Sequence, residues 1–267
     1  MSEDEVFVTV VSLILGVGGW SWWLFRASGI NGLRPGRPTA LLGAAVGIAG
    51  LLIFLVLRFC AADDVRNAPQ YLLMYFLLGL AWMRLAAVFF PLAGLNPRDD
   101  LIERRNTAAI PAWVGAMLGV ALCYAGGNIG NGPGWWVVVF AAGLATAAWA
   151  GVWVAIGQAG GLVELVTVGR DPAAGIRLGG LLTACGVIFG SAVAGDWMSA
   201  TATVIDFVAR AWPALPIVLV AILAEGAMQP TTARFRAPIV QAGVVPAVLY
   251  LVLAGLAVML PEWVVPE

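Results

Sequence analysis

An all-α, polytopic membrane helix bundle with eight transmembrane helices is the fold class that the sequence predicts, and three observations predict it. Only 11% of the 267 residues are charged, whereas a soluble domain carries roughly 25%. Hydrophobic residues make up 61% of the chain, and its mean hydropathy is +0.94. The chain also divides into apolar runs of about 20 residues, the length that crosses about 30 Å of hydrocarbon.

Eight such runs follow one another, separated by short joints that carry glycine, proline and asparagine. They are residues 6–25, 38–59, 69–94, 107–126, 134–158, 173–195, 204–227 and 237–260. The seventh run is the least regular, because Asp206, Arg210, Pro213 and Pro216 lie in or near it. Its two prolines predict a kink or a re-entrant mouth.

The arginines predict the orientation of these runs. All 14 basic residues are arginine, and ten of them belong to the odd-numbered loops against two near the even-numbered ones. The ten are Arg26, Arg34, Arg37, Arg98, Arg104, Arg105, Arg170, Arg177, Arg234 and Arg236. Cytoplasmic loops are enriched in arginine and lysine. The sequence therefore predicts a multi-pass membrane protein with cytoplasmic odd-numbered loops and both termini outside.

The residue types that the chain lacks exclude several kinds of chemistry. Without histidine or lysine, the chain cannot build histidine-based metal or haem sites, nor hold retinal or pyridoxal phosphate as a Schiff base. Its three cysteines are scattered, and no nucleophile–base pair or metal cluster can be assembled. A net charge of −1 gives no case for nucleic acid. The sequence predicts no catalytic residues, no enzyme activity, no cofactor and no metal.

An internal repeat organises the runs. Each predicted inner loop ends in a polar or proline-containing opening that leads into an even-numbered run, and asparagine, aspartate and threonine there are typical helix caps. The capping residues are Asn106, Thr107, Asp171 and Thr231. The pattern predicts two four-span repeats, residues 1–127 and 128–267, or equally four two-span units.

Small residues also recur within the even-numbered runs, mostly four positions apart. Rows of this kind let membrane helices approach closely and gain van der Waals contact. The residues expected at helix contacts are Gly43, Gly47, Gly115, Gly119, Gly175, Gly179 and Gly180.

The openings at Asn106 and Asp171, with Gly115 and Gly180 eight residues past Thr107 and Pro172, resemble the repeated Asn-x-Ala-Ala signature of a known family. This is the YjfL-like family of small bacterial inner-membrane proteins, filed as domain of unknown function 350. Its members look like four-span units, so the resemblance implies two such units in tandem and a location in the bacterial inner membrane. It is best across residues 96–200. Relatives encoded beside membrane-stress and ion-channel genes imply a role in envelope integrity or permeation.

Three ionisable residues are candidates for an ion or lipid contact: Arg84, Glu164 and Glu225. A charge at the centre of a membrane helix costs about 2.5–3.5 kcal/mol on insertion scales, so each one requires an explanation. Arg84 either contacts an anion or lipid headgroup or forms one half of a gating ion pair, or it pairs structurally with a carboxylate or carbonyls on another helix. Glu164 and Glu225, together with Asp100, either form a cation site or accept from the amides of neighbouring helix N-termini.

Two functions from different classes follow. The first is a non-enzymatic, oligomeric membrane scaffold or envelope-stress component that acts through partner proteins. The second is an ion channel or transporter subunit with Arg84, Glu164 and Glu225 on the pathway. The mostly apolar centres of the runs favour the scaffold, and the expected partners are membrane lipids and either further copies of the chain or the other subunits of a membrane complex.

Overall fold

The computed structural model describes residues 1–29, 37–228 and 238–259. Within those ranges the chain is all-helical and contains no β-strand. A helix satisfies its backbone polar groups within its own segment, which is what a chain in hydrocarbon requires. The predicted all-α class is therefore confirmed for the described part of the chain.

The N-terminal part of the chain forms helices that include two π-helical segments. In order they are α1 (Glu3–Leu13), a first π segment (Ile14–Gly18), α2 (Gly19–Gly29), α3 (Arg37–Phe59), α4 (Asp63–Arg66), α5 (Pro69–Ala86) and a second π segment (Arg98–Glu103).

The remaining helices run to Val258 and include a third π segment. They are α6 (Ala109–Gly126), α7 (Trp135–Gly160), α8 (Leu162–Thr167), α9 (Pro172–Ala192), α10 (Ala200–Ala211), α11 (Ala214–Met228), the third π segment (Val240–Val244) and α12 (Val245–Val258).

Six stretches of the described chain are long and apolar enough to cross a membrane, as expected of a multi-pass membrane protein. They are Glu3–Ala27, Thr39–Phe59, Ala109–Gly126, Trp135–Gly160, Pro172–Ala192 and Val240–Val258. A seventh arises if α10 and the first part of α11 form one span, bent by 45° at their junction. Pro213 lies at that junction, where the sequence predicts a kink.

The predicted run at 69–94 is the one that differs most from the observed helices. Its helix, α5, ends at Ala86, and residues 87–94 form turns. Pro91 accounts for this end, because a proline has no N–H to donate to the carbonyl four residues earlier, at Ala87. α5 also carries Gln70 and Arg84 and is not among the six stretches.

Helices α6 and α9 occupy the centre of the bundle. Of their apolar windows, 72% and 78% are buried, against 39% or less for the other four stretches. Their backbones touch directly, because a Cβ atom at Gly115 would collide with the backbone of Gly179, and one at Gly126 with that of Gly190. Glycine is therefore required at these positions by the close approach itself.

The loops that lead into α6 and α9 share one hydrogen-bond pattern at an offset of 65 residues. The backbone N–H of Asn106 donates to the carbonyl of Asp100 over 2.8 Å, and that of Asp171 donates to Leu165 over 3.0 Å. The arginine before each cap, Arg105 or Arg170, has a φ of 50°. The pattern places the two helix starts in equivalent surroundings.

Aromatic rings fill the space beside this central pair. The ring of Phe90 lies 5.4 Å from that of Trp113 and 5.0 Å from that of Trp153, measured between centroids. Trp149 packs on the same cluster, and its indole N–H donates to the carbonyl of Leu182 over 2.8 Å. All four rings are buried, so aromatic side chains fill this side of the bundle interior.

Candidate intramembrane ion-pair site

A buried ion pair joins two helices of the C-terminal part. Arg177 lies in the second turn of α9, and Glu225 lies near the end of α11. The guanidinium donates from Nε to one carboxylate oxygen over 2.6 Å and from Nη2 to the other over 2.8 Å. The two residues are 0% and 1% exposed. This is the bidentate geometry that gives arginine–carboxylate pairs their strength.

A third hydrogen bond completes the surroundings of Arg177. Its Nη1 donates to the backbone carbonyl of Ala242 in the third π segment. On the opposite side, the Cβ and Cγ atoms of Glu225 approach Gly160 at the end of α7, where a side chain would meet both at 3.5 Å. The pair therefore holds α9, α11 and the segment leading into α12 together, with α7 alongside.

The chemistry available to this pair follows from its geometry. Moving two charges out of water costs several kcal/mol for each ion, and a bidentate contact with a further hydrogen bond offsets much of that cost. Both carboxylate oxygens of Glu225 face the guanidinium, whose positive charge repels a second cation. The arrangement thus suits a structural role that holds these helices together. It does not leave Glu225 available to bind a cation.

Arg84 lies elsewhere, against the first helical stretch. Its guanidinium carbon is 5.9 Å from the centre of the Trp20 ring, a cation–π contact. Its side chain also covers Gly19, where a Cβ atom would meet Cγ of Arg84 at 3.2 Å. The buried Nε atom has no hydrogen-bond partner within the described ranges. The structure does not bring Arg84 to the Arg177–Glu225 pair.

The other acidic candidates are separated as well. Glu164 is exposed on α8. Asp100 is buried in the second π segment, where it accepts from the backbone N–H of Asn96 over 2.9 Å and lies 3.5 Å from Arg104. Burial raises the pKa of the Asp100 carboxyl above its ordinary value. Among the described residues, Glu164, Asp100 and Glu225 do not share one site.

The residues predicted as repeat caps differ in their hydrogen bonds and in their exposure. Asp171 caps α9, accepting from the backbone N–H of Ala173 over 3.0 Å. Asn106 and Thr107 lie before the cap position of α6, which is Ala108. The side-chain oxygen of Asn106 accepts from the Ala108 N–H over 3.0 Å, and its amide donates to the carbonyl of Val166 over 2.7 Å. Thr107 is exposed beside it. Thr231 lies outside the described residues.

Among the glycines expected at helix contacts, those of α6 and α9 lie in the central pair. Gly175 faces the carbonyl of Ala108, and Gly119 faces both Trp149 and the carbonyl of Leu182. Gly180 faces α12, since a Cβ atom there would lie 2.5 Å from Cβ of Ala247.

The two glycines of α3 are different. A Cβ atom at Gly43 would meet only Leu24, at 3.9 Å, and one at Gly47 would meet nothing within 4 Å. The described part of the chain does not cover them closely.

Sequence reasoning missed Arg177, counting it among the loop arginines. The structure places Arg177 inside α9. The sequence could have indicated this, because residue 177 falls within the predicted run 173–195. An arginine inside a span requires a partner, and Glu225 is an acid in the neighbouring run.

In comparisons with known proteins, no family model, curated protein or solved structure matches the chain. Within the described ranges, no three histidine, cysteine, aspartate or glutamate residues are grouped so that they could hold a metal ion.

Proposed function

We propose that this chain is a non-enzymatic inner-membrane protein that acts as an oligomeric scaffold or envelope-stress component through partner proteins. The observation that carries the proposal is the uncovered glycine row on α3. Gly47 is exposed and has open space beside it, and Gly43 is only loosely covered. Small residues four apart on an open helix face allow a second membrane helix to approach closely.

The filled interior of the bundle supports the same proposal. The backbones of α6 and α9 touch at its centre, and buried aromatic rings fill the space beside them. The residues named for a pathway have separate surroundings: Arg84 packs on Trp20, Glu164 is exposed, and Glu225 is paired with Arg177.

We propose further that the chain has eight spans, arranged as two four-span repeats, residues 1–127 and 128–267, or as four two-span units, with both termini outside the bacterial inner membrane. The shared hydrogen-bond pattern of the two loops before α6 and α9 has an offset of 65 residues, which is the length of a two-span unit, and supports a repeat of that unit. The resemblance to the YjfL-like family stays a prediction within this proposal.

The mass of the assembly in native membrane discs tests the scaffold. We expect the wild type to run as an oligomer and Gly47→Leu to run as a smaller species, because the added side chain fills the space that a second helix needs. Gly255→Leu on α12 is the matched control, since a Cβ atom at Gly255 also meets nothing within 4 Å, whereas the residues four positions away, Leu251 and Met259, are large. A monomeric wild type, or equal effects of the two changes, would contradict the proposal.

One observation favours the second candidate, an ion channel or transporter subunit. The Arg177–Glu225 pair lies between a helix that follows a 45° bend and a π segment. Intramembrane charges beside interrupted helices are typical of transport pathways. This candidate requires selective ion flux that changes in Glu225→Gln.

A further inference from the structure

An apolar groove follows one side of the central helix pair. Its volume is about 430 Å³, within the range of about 300–1,000 Å³ that is usual for small-molecule sites. Ile110, Val114 and Leu118 line it from α6, and Ile176 and Thr183 line it from α9. These side chains are half-buried, so the groove is open on the outside of the chain.

The floor of the groove is backbone. Gly115 and Gly179 meet there, and Gly180 adjoins Ala247 of α12. The hollow exists because these glycines present no side chain between the larger residues on either side.

The groove offers a ligand apolar contacts and few polar groups. Thr183 supplies its side-chain hydroxyl, and this hydroxyl already donates to the carbonyl of Gly179 over 2.8 Å. An occupant therefore has to be apolar along the length of the groove.

The length of the groove along α6 matches the thickness of one leaflet of a bilayer. The lining residues of α6 run from Ile110 to Leu118, a rise of about 12 Å at 1.5 Å per residue. Half of a hydrocarbon core of about 30 Å is close to that length. A single hydrocarbon chain can lie along this length within one leaflet.

Two exposed arginines lie at the end where the groove begins. Arg105 precedes Ile110 by five residues, Arg170 precedes Ile176 by six, and both are exposed. The two helix starts are level, because Gly175 faces the carbonyl of Ala108.

Three of the neighbouring acids at this end have partners. Asp100 lies 3.5 Å from Arg104, Glu103 accepts from Arg98 over 3.2 Å, and Asp171 caps α9. Glu164 is exposed on α8, and Arg170 is close enough to act on the Asp100 carboxyl. Within the described ranges, Arg105 and Arg170 form no salt bridge, so both guanidinium groups can contact an anion at the membrane surface.

We propose that this groove is a phospholipid site, with one acyl chain along α6 and α9 and the phosphate at Arg105 and Arg170. The proposal is independent of the oligomeric scaffold, since Gly47 does not line the groove. The lipid headgroup then has a defined position, at the end of the bundle where α6 and α9 begin.

Native mass spectrometry of the purified full chain tests the site. The protein is titrated with phosphatidylglycerol and, separately, with a diacylglycerol of the same acyl chains, which lacks the phosphate. We expect tighter retention of phosphatidylglycerol. Arg105→Gln and Arg170→Gln should each weaken that retention about five-fold, the effect of one arginine near a lipid surface. Neither should change diacylglycerol retention. Arg58→Gln, an exposed arginine near the C-terminal end of α3, is the control and should leave both unchanged.

A second pair of variants tests the groove itself. Val114→Phe fills it and should remove retention of both lipids, whereas Val248→Phe on the exposed face of α12 should not. Equal retention of the two lipids with no effect of the arginines would overturn the phosphate contact. Unchanged retention in Val114→Phe would overturn the groove as the site. If Val114→Phe instead dissociates an oligomer while retention stays constant, a second copy occupies the groove and the lipid proposal is wrong.

Discussion

Arg177 of α9 donates two hydrogen bonds to the carboxylate of Glu225 on α11, 48 residues further along the chain, and both side chains are buried. The pair is the tightest polar link between helices in the described part of the C-terminal half. It means that α11, which follows a bend and has one largely exposed face, is held to the centre of the bundle by charge as well as by packing.

Breaking this pair should destabilise the fold strongly. Removing one partner leaves the other charge buried without compensation, which costs about 3–5 kcal/mol. We therefore expect Arg177→Gln and Glu225→Gln each to lower the free energy of unfolding by that amount, measured by denaturant titration in micelles. The double variant should lose less than the sum of the two. Additive losses would show that the two side chains do not interact.

The contact between α6 and α9 should not tolerate a side chain. In Gly115→Ala, the new methyl group meets the backbone of Gly179, which cannot rotate away. We expect a loss of about 1–3 kcal/mol, the usual cost of overpacking, seen as a lower midpoint of thermal unfolding. Gly151→Ala, which meets nothing within 4 Å, is the matched control. Equal midpoints for the two variants would mean that the helices are further apart than the structure shows.

The two loop caps should contribute similarly to stability because their geometry is shared. Asn106→Ala and Asp171→Ala each remove a side-chain oxygen that accepts from the backbone N–H two residues later. Each should cost about 0.5–2 kcal/mol, with Asn106→Ala the larger, since its amide also bonds Val166. Thr107→Ala, an exposed neighbour, should cost little. Thermal unfolding of the three variants in one detergent measures the order.

Asp100 should make stability depend on pH. Burial raises the pKa of its carboxyl in the folded chain above the ordinary value of 3.8. The folded state then binds the proton more tightly than the unfolded state does, so this contribution is full below pH 3.8 and is lost as pH rises through the folded pKa. We expect Asp100→Asn to flatten the fall in the unfolding midpoint on going from acid to neutral pH. Glu3→Gln, at an exposed position, should leave it unchanged; an unaltered slope in Asp100→Asn would contradict this account.

Much of the architecture could be predicted from hydropathy, because a run of apolar residues such as 173–195 has few alternatives to a helix in hydrocarbon. The end of α5 could have been placed as well, since Pro91 excludes a regular helix through residue 94. Local chemistry also indicated the cap at Asp171, which bonds within its own turn.

The pairing across helices could not be predicted in the same way. Glycine spacing gives the row on α6 but not its partner, so Gly115 against Gly179 depends on the three-dimensional arrangement. For the same reason Arg84 was expected to be the important intramembrane arginine, whereas Arg177 is the one with a buried carboxylate partner. A single sequence shows which residues need partners but not which helices become neighbours.

Ion flux through liposomes containing the purified full chain tests the central claim, a closed scaffold, most directly. Proton and cation leak would be recorded for the wild type, Glu225→Gln and Glu164→Gln, beside protein-free liposomes. The account predicts leak at the protein-free level for the wild type and for Glu164→Gln. Selective flux through the wild type that Glu225→Gln abolishes and Glu164→Gln preserves would contradict the scaffold and place a permeation pathway at the Arg177–Glu225 pair.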